Sequence, residues 1–277
     1  MRGLAEFVMK GRKQAIMAVM LLGLVPLVYY LSPAIVGLIM LRKGWRDAAF
    51  VLAWAVLPML GWVVAVGDPI PLIVLLGVSG LALLLRETES LEFTLVAAVL
   101  VGVGVEIYFR LQPATLDLLF EQMELYLATN NLPELQIDDL RDVFTSIIGA
   151  VYMFLSIVLL MLARWMQATL FNPGGFQREF HALRVEQKVA LLLLGLMLLA
   201  NYGVVLPEPW VMYFVLPLLF SGLALVHGVV AKKQMPSVWL KIFYFFMIFS
   251  VVIQLVVLLA LVDSWYNFRQ RITSPPS

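Results

Sequence analysis

The sequence predicts an all-α, polytopic membrane protein: a transmembrane helical bundle with about 8–9 membrane segments. Two observations lead to this prediction. Of the 277 residues, 62% are hydrophobic and only 13% are charged, whereas a soluble domain is about half apolar and about a quarter charged. Apolar stretches also recur along the chain, most of them long enough to cross about 30 Å of hydrocarbon. They lack the alternation of apolar and polar residues that is typical of a β-barrel strand.

The apolar stretches follow one another closely, so residues 1–277 are expected to form a single integral membrane domain. The predicted spans are 14–30, 33–41, 47–66, 70–85, 91–109, 144–163, 187–206, 210–231 and 238–262. The first two admit two interpretations. They form either one long helix broken at Ser32-Pro33, because proline disfavours helix at the residue before it, or a tight hairpin. We prefer the hairpin because it puts both flanking basic clusters on the same side.

The distribution of basic residues predicts the orientation. If the N-terminus is cytoplasmic and the spans alternate, fifteen of the 19 Lys and Arg residues face the cytoplasm, among them those of the 164–188 loop. Four remain outside: Arg110, Arg141, Arg269 and Arg271. This asymmetry is typical of the positive-inside rule. The same scheme puts the C-terminus outside, where Arg269 and Arg271 fit poorly.

One sizeable segment, 112–143, is expected on the external side, and it is acidic. Its first half predicts an amphipathic helix over 116–127, because five apolar side chains fall on one face at helical spacing. These are Leu116, Leu119, Phe120, Met123 and Leu127. Helices that lie on anionic lipid are usually basic. We therefore expect this acidic helix to pack on the protein.

Composition excludes several classes of site. The chain has no cysteine, which excludes disulfides, thiolate metal sites and cysteine nucleophiles. Its net charge of +1 provides no field that favours nucleic acid. No catalytic motif is visible, and the two histidines have no partners at metal-ligand spacing. We therefore expect no catalytic residue, metal or cofactor, and no nucleic-acid partner; the lipid bilayer is the partner that the composition requires.

Four polar side chains on otherwise apolar spans are the candidates for ligand binding: Glu106, Arg110, Asn201 and His227. Each is costly at membrane depth and usually has a partner. Glu106 and Arg110 are four residues apart and so share a helix face. They form either an interfacial ion pair or the polar lining of an outward-facing cavity roofed by 112–143. His227 is either a neutral histidine bonded to a neighbouring helix or a proton-coupling or ligand group.

The stretch "RWMQATLFNPGGFQREFHALR" (164–184) interrupts the apolar runs. Its "NPGG" is expected to end a long helix, and the spacing of the later apolar residues predicts a short amphipathic helix. The segment is either a surface connector or a docking surface for a cytoplasmic partner. The docking candidates are Arg164, Asn172, Gly174, Gly175, Phe176, Phe180 and Arg184.

The motifs "NPGGFQREFHALR", "GLALVHG" and "LVDSWYNFRQR", with "LRKG" after the first hydrophobic pair, resemble the YybS-like family of bacterial integral membrane proteins. The hydropathy layout of that family is similar to that of the substrate-binding subunits of energy-coupling-factor vitamin transporters. The resemblance implies the inner (cytoplasmic) membrane of a bacterium and a small-molecule cavity that opens outward. This chain departs from the pattern by its larger number of spans and its longer acidic external segment. The resemblance supplies no binding residue.

Two functional hypotheses follow. The protein is either a transport-related subunit that binds a small-molecule ligand between its helices, or a non-transporting scaffold that docks a cytoplasmic or membrane protein. An intramembrane enzyme is a third alternative, for which the sequence offers no nucleophile–base pair and no set of metal ligands.

Overall fold

The computed structural model describes residues 1–129, 137–203 and 205–271, and within these ranges it is helical without a strand. The helices are α1 (Arg2–Met9), α2 (Arg12–Gly23), α3 (Leu31–Lys43), α4 (Trp45–Val66), α5 (Ile70–Thr88), α6 (Leu91–Ala97), α7 (Val99–Leu111), α8 (Ala114–Thr129), α9 (Ile137–Phe171), α10 (Gly175–Ala182), α11 (Gln187–Asn201), α12 (Val211–Lys232), α13 (Val238–Phe246), α14 (Ser250–Tyr266) and α15 (Phe268–Arg271), with short 3₁₀ helices at Val28–Tyr30 and Glu208–Trp210.

Five segments of the described chain are long and apolar enough to cross a membrane, and a sixth is added if α13 and α14 count as one. These are Trp45–Val66, Ile70–Thr88, Leu91–Leu111, Leu140–Phe171 and Glu208–Lys232. The predicted all-α class is confirmed for the described residues, and the long apolar helices support a membrane protein. The predicted count of 8–9 membrane segments is not confirmed. The remaining predicted spans fall on shorter helices, and α11 is the longest unbent one among them.

The first hydrophobic pair is a hairpin, as the charge pattern favoured. Helix α2 ends at Gly23, and α3 begins at Leu31 and packs back against it. The alternative, one long helix broken at Ser32-Pro33, is not found, because Pro33 lies in the first turn of α3. A proline there removes an N–H that has no partner within the helix anyway. The first span was predicted to run to residue 30, but α2 ends at Gly23. Helix α3 is central: every residue from 32 to 41 is buried.

The bundle has two distinct ends, which we name after the ion-pairing residues that lie there. At the Arg164 end, α3, α5, α9 and α12 end and α4 begins. The amide nitrogen of Gln167 on α9 donates to the Leu41 carbonyl oxygen at 3.1 Å, and Arg86 on α5 donates to the same oxygen at 2.9 Å. At the opposite Glu106 end, α7 ends and α12 begins. There the indole nitrogen of Trp210 donates to Glu106 Oε1 at 3.0 Å.

The predicted span 238–262 is not a single straight crossing. The chain bends by 114° between helices α13 and α14. The chain enters α13 directly after α12 ends, and it returns to the same place, because Lys232 Nζ donates to the Arg269 carbonyl oxygen at 2.9 Å. The described C-terminal residues therefore lie at the Arg164 end rather than at the opposite end. No proline or glycine marks the bend at 247–249, so no local pattern predicts it.

The position of the C-terminal residues removes the one poor fit to the positive-inside rule, the prediction that Arg269 and Arg271 lie outside. Arg269 and Arg271 join the other basic residues at the Arg164 end. Arg110 and Arg141 are then the two basic residues of the Glu106 end.

The acidic segment 112–143 contains α8, which packs on α9. Leu116 and Phe120 are buried and Met123 is partly buried, whereas the side chains of Leu119 and Leu127 lie outside the described part. The guanidinium of Arg141 on α9 lies 5.1 Å from the centre of the Phe120 ring and also pairs with Asp117. Helix α8 therefore lies against protein, which is the packing expected for an acidic amphipathic helix.

Candidate functional site

The four side chains predicted to bind a ligand do not come together. Glu106 and Arg110 lie at one end of the bundle and His227 lies near the other. On α12, the residue that contacts Glu106 is Tyr213, fourteen positions before His227, which corresponds to about 21 Å along a helix. Asn201 is exposed at the end of α11, and its side chain forms no hydrogen bond with another described residue.

Glu106 is the centre of a closed polar cluster. Its side chain is 1% exposed. Oε1 accepts from Arg110 Nε at 2.9 Å and from Trp210 Nε1 at 3.0 Å, and Oε2 accepts from the Tyr213 hydroxyl at 2.6 Å. Arg110 also reaches Asp142 Oδ1 on α9 at 3.0 Å. The carboxylate thus links α7 to α12, and both of its oxygens accept hydrogen bonds from the protein's own donors.

Two glycines make room for this cluster. A Cβ on Gly149 of α9 would lie 2.0 Å from the Tyr213 hydroxyl oxygen, and one on Gly102 of α7 would lie 2.9 Å from Tyr213 Cε1. The same Gly149 Cβ would lie 2.7 Å from the Gly102 carbonyl oxygen. Helices α7 and α9 therefore approach closely at this pair, as small residues allow in membrane bundles, and the tyrosine ring lies beside them. Sequence reasoning missed both Trp210 and Tyr213, although a tyrosine within a span usually needs a hydrogen-bond partner.

Three cavities of the described chain lie at the Arg164 end. One of them, which we call the polar cavity, has a volume of about 960 Å³ and lies where α3, α5 and α9 end and α6 begins. Its lining includes Arg42, Arg86, Glu87, Glu89, Ser90, Glu92, Arg164, Gln167, Glu179 and Arg184.

Two of the basic residues in this lining stabilise the fold. Arg164 donates from Nε to Glu179 Oε2 of α10 at 2.8 Å, with a second contact between the same side chains. Arg86 donates to the carbonyl oxygens of Met40 and Leu41 at 3.1 and 2.9 Å. The last carbonyls of a helix have no partner within it and carry partial negative charge. Arg86 therefore caps α3.

Other charged groups of the lining have hydrogen-bonding donors or acceptors that the protein does not use. Arg184 forms no hydrogen bond or ion pair with another described residue. Glu92 accepts the Glu186 backbone N–H at Oε1, at 2.7 Å, which leaves acceptor sites on its carboxylate. Glu87 and Glu89 on the same rim are exposed. The Arg184 and Glu92 charges attract each other without direct contact. The polar cavity thus offers a guanidinium that makes no hydrogen bond with the described chain, and carboxylate oxygens with unused acceptor sites.

The docking candidates of the 164–184 segment divide into three groups. Arg164 and Arg184 line the polar cavity. The rings of Phe176 and Phe180 stack with centroids 6.1 Å apart, and Phe180 meets the His227 ring edge-on at 5.6 Å, so this face of α10 packs against the bundle.

The third group shapes the turn itself. Gly174 has a φ of 77°, a left-handed conformation that favours glycine. A Cβ on Gly175 would lie 2.3 Å from the amide nitrogen of Asn172. These three residues therefore form the connection between α9 and α10.

His227 is bonded to a neighbouring helix. Its Nε2 lies 2.7 Å from the Tyr244 hydroxyl of α13, and its ring centre lies 6.3 Å from that of His181. This geometry is that of a histidine satisfied by an adjacent helix, which was one of the two interpretations. Among the described residues, no group of three or more His, Asp or Glu side chains is placed to hold a metal ion.

No family model, curated protein or solved structure matches the chain. The resemblance to the YybS-like family therefore stays a proposal based on the short motifs. The polar cavity and the charges around it are the features on which a functional interpretation depends.

Proposed function

We propose that the protein is a multi-spanning bacterial inner-membrane protein that binds a small polar molecule in the polar cavity, as a transport-related subunit. The observation that supports this most directly is Arg184. Its guanidinium lines a cavity of about 960 Å³ without an ion-pair partner in the described chain. Ligand sites are concave, commonly about 300–1,000 Å³, and carry a few polar groups that orient the ligand.

The charges around the polar cavity favour a class of ligand. Arg184 would bind a carboxylate or phosphate, and the carboxylates of Glu87, Glu89 and Glu92 would bind an amine. A zwitterionic molecule satisfies both sets of charges. A polyanion would meet repulsion from the glutamates.

We also propose that the Arg164 end faces the cytoplasm, since the bundle collects nearly all of its basic residues there. Helix α11 then counts as a crossing, because it connects Glu186, bonded to Glu92, with Trp210, bonded to Glu106 at the opposite end. If the α2–α3 hairpin and the bent α13–α14 pair also lie in the membrane, the number of membrane segments is the 8–9 that we propose from the sequence.

This proposal changes the location of the predicted site. The prediction of an outward ligand cavity around Glu106 and Arg110 loses its support, because the Glu106 carboxylate accepts hydrogen bonds from Arg110, Trp210 and Tyr213. The ligand would instead be held at the cytoplasmic end. The likeness of the YybS-like hydropathy layout to transporter subunits is the support for a role in transport.

Native mass spectrometry of the purified protein tests the proposal. Wild-type protein should retain a low-molecular-weight polar molecule, and Arg184→Gln should retain at least about tenfold less, as expected for the loss of one charged hydrogen-bond donor. Arg46→Gln is the matched control: it removes the same charge at the same end, from an exposed side chain outside the cavity. Equal retention by the two variants, or no ligand on the wild type, would contradict the proposal.

The alternative is a scaffold that docks another protein. The observation that favours it is that both oxygens of Glu106 accept hydrogen bonds from the protein itself, so this polar group within a span contributes to internal stability. Under this alternative, a protein should copurify in fixed ratio with the wild type and be lost on Arg184→Gln, while no small molecule is detected in either sample.

A further inference from the structure

A second cavity at the Arg164 end has a lining whose charged side chains are all basic. We call it the basic pocket; its volume is about 470 Å³, and it is lined by Arg178 and His181 of α10, Lys232 of α12, and Arg269. Arg178 donates to Asn172 at 3.4 Å, and Lys232 and Arg269 donate to backbone carbonyls. Each cation keeps further N–H groups, since lysine has three and arginine five.

One carboxylate lies behind this pocket, and it does not neutralise it. Asp263 is fully buried, accepts the Phe268 backbone N–H at 2.8 Å, and has Oδ2 at 3.6 Å from Arg269 Nη1. It offsets one of the three formal positive charges of the lining. The pocket keeps an excess of positive charge next to the partly buried Lys232 and Arg269, and a bound anion would balance this charge.

An apolar groove adjoins the basic pocket. The groove has a volume of about 390 Å³, and its lining is entirely apolar and aromatic, including Val230, Met235, Trp239, Phe243 and Leu259. Val229 lines both cavities, and Phe268 of the groove precedes Arg269 of the pocket. A molecule that filled both cavities would need an anionic head and an apolar tail.

The depth of the two cavities fits the same molecule. Lys232 is the last residue of the span Glu208–Lys232, so the basic pocket lies at the level where phospholipid headgroups begin. The groove residues Val229 and Val230 are two to three positions earlier on α12, towards the hydrocarbon. This is the arrangement in which basic pockets between helices bind anionic headgroups.

We propose that the basic pocket and the adjoining groove form a binding site for an anionic glycerophospholipid. The lipid phosphate accepts from Arg178, Lys232 and Arg269, and one acyl chain lies along the groove. This site adjoins the polar cavity at Ala182, which lines both, but its charged groups are different ones. It does not depend on the small-molecule function proposed above. It ties α10, α12 and the returning C-terminal segment together through a molecule of the bilayer.

Native mass spectrometry with defined lipids tests the site. Protein in neutral detergent is titrated with phosphatidylglycerol, phosphatidylcholine or inorganic phosphate. Wild-type protein should retain phosphatidylglycerol over phosphatidylcholine, and Arg178→Gln/Lys232→Gln should weaken phosphatidylglycerol binding by at least about tenfold. The matched control, Arg46→Gln/Lys233→Gln, has the same charge change on exposed side chains outside the pocket and should bind like the wild type.

A third variant separates the two halves of the site. Val230→Phe fills the groove and should weaken phosphatidylglycerol binding while leaving the basic pocket intact. The single variant Arg178→Gln, at an exposed position, provides a test if the double variant does not fold. Equal retention of the two lipids by the wild type, or equal phosphatidylglycerol binding by the double variant and its control, would overturn the proposal. Saturable binding of inorganic phosphate without lipid preference would assign the pocket to a free phosphate instead.

Discussion

The Tyr213 hydroxyl donates a 2.6 Å hydrogen bond to Glu106 Oε2, although the two residues are 107 positions apart in the chain. The bond joins the end of α7 to the beginning of α12, and Trp210 adds a second donor from the same region. Because Glu106 is buried, each donor compensates part of the cost of keeping a carboxylate away from water. This cluster is therefore a place where single substitutions should report on stability.

Tyr213→Phe should destabilise the protein by about 1.5–3 kcal/mol, the usual cost of losing a hydrogen bond to a charged group. The ring stays in place, so the change isolates the hydroxyl. Thermal unfolding in detergent, followed by circular dichroism, measures the effect. Tyr202→Phe is the control: Tyr202 is exposed, so the loss of its hydroxyl group should leave the unfolding temperature unchanged. Equal unfolding temperatures for the two variants would show that the Glu106 contact contributes little.

Gly149→Ala should destabilise the protein by about 1–3 kcal/mol, because overpacking forces neighbouring groups to move. Its Cβ would lie 2.0 Å from the Tyr213 hydroxyl oxygen and 2.7 Å from the Gly102 carbonyl oxygen. Gly104→Ala on α7 is the matched control, since a Cβ there meets nothing within 4 Å. In the double variant Gly149→Ala/Tyr213→Phe the clash with the hydroxyl is gone, so the two effects should not add. Strict additivity of the unfolding free energies would contradict this packing.

The stability of the protein should fall as the pH is lowered from about 7 towards about 5. Burial, and secondarily the positive charge of Arg269, lower the pKa of His181 from its ordinary 6.5. Below pH 6.5 the unfolded chain then binds a proton that the folded protein does not, so the unfolded state gains free energy of proton binding. The free energy of unfolding therefore keeps its full value above pH 6.5 and decreases as the pH falls from 6.5 towards the lower pKa of His181 in the folded protein. His181→Gln should reduce this pH dependence of the unfolding temperature; a pH profile identical to that of the wild type would count against the assignment.

Labelling of single cysteines tests the orientation of the bundle. The chain has no native cysteine, so each introduced thiol is unique. Gln177→Cys on α10 should resist a membrane-impermeant maleimide in intact cells, whereas Gln122→Cys on α8 should react. Both side chains are exposed. Gln177 lies within helix α10, so a cysteine there causes no backbone strain, whereas one at the nearby Gly174 would have to adopt a left-handed conformation. Labelling of Gln177→Cys in intact cells, with protection of Gln122→Cys, would reverse the orientation.

Much of the fold could be predicted from local patterns. The "NPGG" turn coincides with glycine and proline, and the acidic helix α8 follows from apolar spacing alone. The turn of the first hairpin was expected at Ser32-Pro33, whereas α2 already ends at Gly23. The bend between α13 and α14 could not be predicted, because an uninterrupted apolar run is equally compatible with one long helix. The partners of Glu106 were missed for another reason: Arg110 is four residues away on the same helix, whereas Trp210 and Tyr213 are brought near only by packing.

The sequence by itself determined the solvent that the chain requires and the collection of basic residues at one end. Both depend on the free energy of transferring individual residues between water, the interface and hydrocarbon. This free energy is a property of each residue and depends little on which residues pack against it. The tertiary structure decided which polar groups meet. It surrounded Glu106 with donors from other helices, left Arg184 in the polar cavity without a hydrogen-bond partner in the described chain, and returned Arg269 to the Arg164 end. These outcomes depend on how the helices pack and cross, because a side chain on one helix finds its partner on another only after the close approaches, such as that of Gly102 and Gly149, have been formed.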